Sequence, residues 1–150
     1  MPFSCHRILI VFSLLGLLYA NFLTPAQAEQ KVFAEKKIVL QISDRDPFKQ
    51  TLILNVANNL IRHYGVDKLE LEIVAFGPGL RLLFNDNANK KRIQSLMDSG
   101  VQFSACSNTF KAMTKKLGQL PELNPHAVKV SAGVVRILEL KEQGYELIKP

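Results

Sequence analysis

From residue 36 onward, short β-rich apolar runs alternate with segments of helical period, and the connections between them are brief. Ile38-Val39-Leu40-Gln41-Ile42 reads as a buried strand. Asp46 and Pro47 then supply a helix cap and a first helical residue, and Gly65 a stop, so a helix is expected over residues 47–64. Residues 69–76 form a second strand, in which Leu69-Glu70-Leu71-Glu72 alternates and Ile73-Val74-Ala75-Phe76 is continuously apolar. Gly77-Pro78-Gly79 breaks it, residues 80–84 make a helical turn, and residues 90–99 a short helix that directs Ile93, Leu96 and Met97 inward. Strands at 101–105, 127–130 and 145–148 enclose helices at 109–117 and 134–143, the last with Val134, Val135, Leu138 and Leu140 packing inward. Strand and helix in strict turn imply βαβ units. The expected fold is a three-layer α/β/α domain with a mainly parallel five-stranded sheet.

The first 35 residues stand outside this pattern. His6 and Arg7 precede an apolar run over residues 8–18, and Pro25 precedes Ala26-Gln27-Ala28, a small-x-small cleavage site. The run falls short of the about 20 apolar residues needed to cross a bilayer, so residues 1–28 read as a signal peptide cleaved after Ala28. The expected product is exported, to the periplasm, and keeps no stable membrane anchor. Residues 29–35 are a flexible leader and residues 36–150 a single domain, long enough for one core.

The chain carries a formal charge of +6, but its basic residues are dispersed as Lys36/Lys37, Lys90/Lys91/Arg92 and Lys115/Lys116, the pattern of solvated helix ends. Export and the lack of a reading motif exclude nucleic acid as the expected partner. Two scattered histidines and one cysteine beyond the signal have no ligand spacing, so neither metal nor cofactor is expected. Gly77-Pro78-Gly79 has neither the Lys-Ser/Thr of a P-loop nor dinucleotide spacing, and reads as a tight turn.

Cleavage removes Cys5 and leaves Cys106 unpaired. Such a thiol is incidental packing, an intermolecular link, or a reactive group. It falls where the third strand ends and a helix begins, where backbone N–H groups and the helix dipole favour a thiolate. His63 and His126 lie toward the wrong ends of their elements to serve as its base. Ligands in such sheets sit outside the carboxyl ends of the strands. Asp44, Gly77, Gly79 and Asn108 are therefore expected to line a pocket with Cys106, with Lys111 and Arg81 as sources of positive potential.

Several separated segments carry a family resemblance. They are Lys37-Ile38-Val39-Leu40-Gln41-Ile42-Ser43-Asp44 with Asn55, Asn58 and Asn59 on the following helix; Val74-Ala75-Phe76-Gly77-Pro78-Gly79-Leu80; Gly100-Val101-Gln102-Phe103-Ser104-Ala105-Cys106-Ser107-Asn108-Thr109; and Ala132-Gly133-Val134-Val135-Arg136-Ile137-Leu138-Glu139-Leu140 with Gln143-Gly144-Tyr145. In this order they resemble the DsrE/DsrF-like family of intracellular sulfur-oxidation and sulfur-relay proteins, over essentially all of residues 36–150. The resemblance implies an α/β/α domain that forms oligomers, trimers and hexamers among them, and a cysteine at the Cys106 position that carries sulfur as a persulfide. It also implies sulfur-donor and acceptor-thiol protein partners. The alternative function is a non-catalytic oligomeric binding module using the same strand-edge pocket.

Overall fold

The computed structural model describes residues 34–119 and 122–150. The expected signal peptide and most of the leader lie outside the described residues, as do residues 120 and 121 in the loop before the fourth strand. The elements run β1 (Lys36–Ile42), α1 (Pro47–Tyr64), β2 (Leu69–Ala75), a 3-10 segment (Gly77–Leu83), α2 (Lys90–Asp98), β3 (Gln102–Cys106), α3 (Ser107–Leu117), β4 (Val128–Val130), α4 (Gly133–Glu142) and β5 (Glu146–Ile148). The strands form one sheet in the order β4-β3-β2-β1-β5, parallel at every pairing.

Local chemistry accounts for the first crossover. The Asp46 carboxylate accepts a hydrogen bond from the Phe48 amide at 2.9 Å, Pro47 opens α1, and Gly65 ends it at φ +83°. Only a residue without a Cβ takes that conformation cheaply. Ile53, Leu54 and Ala57 of α1 then bury against the front face of the sheet.

The two faces of the sheet differ. On the front, Ile38, Leu40 and Ile42 of β1, Leu69, Leu71, Ile73 and Ala75 of β2, and Phe103 and Ala105 of β3 pack with α1, α2 and the 3-10 segment in one large core; α3 adds Phe110 and Met113 at its margin. On the rear, Val39 and Val74 meet Ile137 and Leu140 of α4, with Phe76 and Tyr145 at the border.

The rear face is polar where β2 crosses it. Glu70 and Glu72 alternate with the front-face leucines as the sequence pattern requires, yet both are buried. A buried carboxylate is tolerated only when paired and hydrogen-bonded. Glu72, 3% exposed, accepts from the Ser104 hydroxyl at 2.6 Å and from Arg136 Nε and Nη2 at 2.9 and 2.8 Å. Glu70 accepts from the Tyr145 hydroxyl at 2.6 Å and lies 3.5 Å from Lys37 Nζ. Burial and the neighbouring carboxylate push the Tyr145 phenol well above its ordinary range.

This pairing corrects the expected orientation of α4. Hydropathy places Val134, Val135 and Leu138 inward, but they are 56%, 46% and 55% exposed. The sheet side of α4 is instead Gly133, Arg136, Ile137 and Leu140, a helical stripe that brings Arg136 over Glu72. Turning the three apolar residues inward would leave Glu72 buried without its counter-charge.

Candidate thiol site at the carboxyl edge of the sheet

Because all strands are parallel, their carboxyl ends share one edge. Cys106 is there as the last residue of β3 and the N-cap of α3. Its side chain is 4% exposed, and its sulfur accepts a hydrogen bond from the Thr109 amide at 3.5 Å. It is the free cysteine among the described residues.

Three turns meet around Cys106. The start of α3 supplies the Thr109 amide to the sulfur, and polar groups of Thr109, Asn108 and Gly133 lie near enough to favour its anion. The turn after β2 contributes indirectly, since the Gly77 amide donates to Thr109 Oγ1 at 2.9 Å. Burial alone would push the Cys106 thiol up. These polar groups outweigh it and hold the thiol below its ordinary value.

Backbone packing fixes the turns. Gly77 adopts φ +52°, a conformation suited to glycine. A Cβ on Gly133 would sit 2.8 Å from Phe76 Cδ1 and 2.9 Å from its Cβ, so the first turn of α4 presses directly on the residue that follows β2. The Asn108 amide also donates to the Ser131 carbonyl at 3.2 Å, which ties the α3 start to the β4–α4 loop.

The expected pocket residues divide into two groups. Gly77 and Asn108 lie at the Cys106 end of the sheet, Gly77 bonded to Thr109 and Asn108 donating its amide to the Ser131 carbonyl, while the Asn108 residue is otherwise exposed. Gly79 is buried beneath the end of β1, with no room for a Cβ. Asp44 lies two strands from Cys106 in the sheet order and lines a separate cavity of about 80 Å³ with Ser43, Lys49, Lys149 and Pro150. Its carboxylate bonds Lys49 Nζ at 2.6 Å and the Asp46 amide at 3.0 Å, and the Lys49 hydrogen bond above all holds it below the usual carboxylate range. Arg81 extends over the Phe84 ring, and Lys111 is exposed on α3. Among the described residues, no group of three or more His, Cys, Asp or Glu side chains is gathered as for a metal ion.

One contributor has no signal in the sequence. Thr109 is an ordinary polar residue in a helical segment until Gly77, thirty-two positions earlier, is placed beside it. Gly133 belongs to a turn that strand order already expects at this edge, and α4 starts there.

Thr109→Val tests the thiol environment. The variant removes the hydroxyl that accepts from the Gly77 amide and favours the sulfur's anion. It is expected to raise the thiol pKa, so that alkylation by iodoacetamide at pH 7 slows about several-fold, since only the thiolate reacts. The alkylation rate measured across pH would show the inflection moved upward. An unmoved inflection would remove Thr109 from the site.

No family model and no curated protein matches the chain. Its fold recurs among solved structures. A protein of unknown function from Methanobacterium thermoautotrophicum, MTH1491, is 28% identical, with a TM-score of 0.69 over 77% of the present chain and 99% of its own. The similarity agrees with the parallel α/β architecture described above.

Proposed function

We propose that this protein handles sulfur, with Cys106 accepting sulfane sulfur as a persulfide and passing it to an acceptor thiol. The observation that carries this reading is the Cys106 sulfur at the N-cap of α3, where it accepts from the Thr109 amide and its anion is favoured. A thiolate is the form that attacks sulfane sulfur. With thiosulfate, the Cys106 thiolate attacks the outer sulfur, a Cys–S–S bond forms, and the S–S bond of thiosulfate breaks with sulfite leaving on the electron pair. An acceptor thiolate then attacks the outer sulfur of the persulfide and returns the Cys106 thiolate. The same hydrogen bonds that favour the resting thiolate stabilise it as the leaving group.

The resemblance to DsrE/DsrF-like proteins supports the same reading, and with it come an oligomeric state and donor and acceptor partners. Export after Ala28 is part of the proposal, on the signal-like N-terminus.

The test is sulfur loading. Protein incubated with thiosulfate or polysulfide and analysed by intact mass is expected to gain about 32 Da, the mass of one sulfur added as a persulfide. The gain should vanish on treatment with a reducing thiol and be absent in Cys106→Ser. Failure to load a thiol that iodoacetamide does modify would overturn the proposal.

A second reading, a non-catalytic oligomeric binding module, is favoured by one observation: Val134, Val135 and Leu138 leave an apolar stripe of α4 uncovered. On that reading Cys106→Ser retains both assembly and biological activity, whereas sulfur relay requires activity to be lost.

A further inference from the structure

The chain reverses its direction across the sheet once. From β1 it moves to β2, β3 and β4, each strand beside the last, and then returns through α4 to place β5 on the free side of β1. The helix that leaves β1 packs on the front face, through Ile53, Leu54 and Ala57, and the helix that leads to β5 packs on the rear, through Ile137 and Leu140. The strand order therefore turns back between β1 and β5. In open parallel sheets such a reversal leaves a crevice outside the carboxyl ends of the two strands, and ligands bind there.

The register widens this crevice. β1 pairs with β2 as far as Ile42↔Ala75, but with β5 only as far as Leu40↔Ile148. Gln41 and Ile42 thus have a strand neighbour on one side alone. Lys149 and Pro150, which follow β5, line a cavity of about 80 Å³ with them in this split. A space of that size takes a ligand of about five to seven heavy atoms, at roughly 10–15 Å³ for each water-sized group.

The lining is rich in hydrogen-bond donors. Lys49 Nζ bonds the Asp44 carboxylate at 2.6 Å, and the same carboxylate accepts from the Asp46 amide at 3.0 Å, so the pair is anchored at the start of α1. Lys149 brings a second ammonium group to the cavity, so the side chains that line it carry two positive charges against one negative. The ion pair and the turn account for Asp44 and Lys49 without a ligand. They leave three groups over. Among the described residues, the side chains of Gln41, Ser43 and Lys149 have no hydrogen-bond or ion-pair partner, yet all three line the one small space.

We propose that this cavity binds a small oxyanion, with Lys149 and Lys49 balancing its charge and the Ser43 hydroxyl and Gln41 carboxamide donating to its oxygens. Asp44 acts as a positioning residue that holds Lys49 at the rim. The chemistry is shared by inorganic tetrahedral oxyanions and by short carboxylates. The site is separate from Cys106, two strands away, and does not rest on the sulfur-carrier reading.

The experiment is a titration of the protein with sulfate, phosphate or acetate, at constant ionic strength made up with chloride, followed by backbone amide NMR shifts. A saturable change at residues 41–44 and at Lys149 is expected. Saturation by sulfate or phosphate identifies an inorganic oxyanion, and saturation by acetate alone identifies a carboxylate. Lys149→Met is expected to weaken the affinity about tenfold, the effect of removing a hydrogen bond from a charged group. Ser43→Ala is expected to weaken it about several-fold, as for a lost hydroxyl donor. Lys116→Met removes the same charge from exposed α3 and is expected to leave the affinity unchanged. Cys106→Ser is expected to leave it unchanged as well. Shifts that fail to saturate with all three anions would overturn the proposal, as would equal weakening by Lys149→Met and Lys116→Met, or loss of binding in Cys106→Ser. Failure of sulfur loading in protein that titrates normally would instead overturn the carrier reading alone.

Discussion

Replacing Arg136 by Ala is expected to destabilise the domain by about 3–5 kcal/mol, because it strands a buried carboxylate without its counter-charge. Glu72 has almost no solvent contact, and after the substitution it keeps the bond from the Ser104 hydroxyl. Removing both charges should behave differently. The Glu72→Met, Arg136→Leu double variant is expected to lie within about 1–2 kcal/mol of wild type, since apolar residues often replace a buried pair without loss. Urea unfolding of Glu72→Met, Arg136→Leu and the double closes a cycle, and a large negative coupling is the expected result. If Arg136→Ala cost no more than a surface substitution, roughly 0.5 kcal/mol, Glu72 would have to reach water in solution. The polar rear face would then be open, and Arg136 could not set the rotation of α4.

The second large effect is at Gly79. A Cβ there would sit 2.6 Å from the Ile42 carbonyl oxygen and 2.8 Å from the Ser43 amide nitrogen. Both are backbone atoms, and the Ile42 oxygen already accepts from the Phe76 amide at 3.1 Å. No rotamer change relieves such a contact. The turn after β2 has to move off the end of β1, at a cost of about 2–4 kcal/mol, in the upper part of the range for overpacking and strain. The displacement would also carry Gly77 away from Thr109. Gly79→Ala should therefore lower the unfolding midpoint and, in the surviving folded protein, move the Cys106 alkylation profile upward. Thermal unfolding together with alkylation kinetics checks both halves. A variant with wild-type stability would mean the 3-10 segment tolerates a shift the packing does not allow.

The order of elements was legible because its signals are local. Asp46, Pro47 and Gly65 bracket α1 within one stretch of chain, and the β-branched and aliphatic run of β1 needs no distant partner to be read as a strand. Cys106 was legible for the same reason, since the end of an apolar run and the start of a helical period can be seen side by side. What stayed hidden depends on pairs far apart. Val134, Val135 and Leu138 look like core by hydropathy, and what turns them outward is the Arg136–Glu72 pair, whose members are 64 residues apart. The alternation of Glu70 and Glu72 with leucines reads as a half-solvated strand until Arg136 and Tyr145 cover it. Asp44 is at the correct edge of the sheet but two strands away from the thiol, a distance fixed only by the strand order.

That strand order also governs when the domain can finish folding. β1 gains its second neighbour only from β5, through the pairs Ile38↔Glu146, Val39↔Leu147 and Leu40↔Ile148. The Lys36–Glu146 contact beside them spans 110 residues of chain. On a ribosome, β5 is the last of the five strands to emerge, so one edge of β1 stays unpaired until the other four have been made. Closing so long a loop for only three residues of pairing is entropically slow, and sheets built from such non-local contacts fold in milliseconds to seconds. The nascent chain therefore presents an open parallel edge until β5 emerges, the condition in which an incompletely folded chain can still be held by a chaperone before it locks.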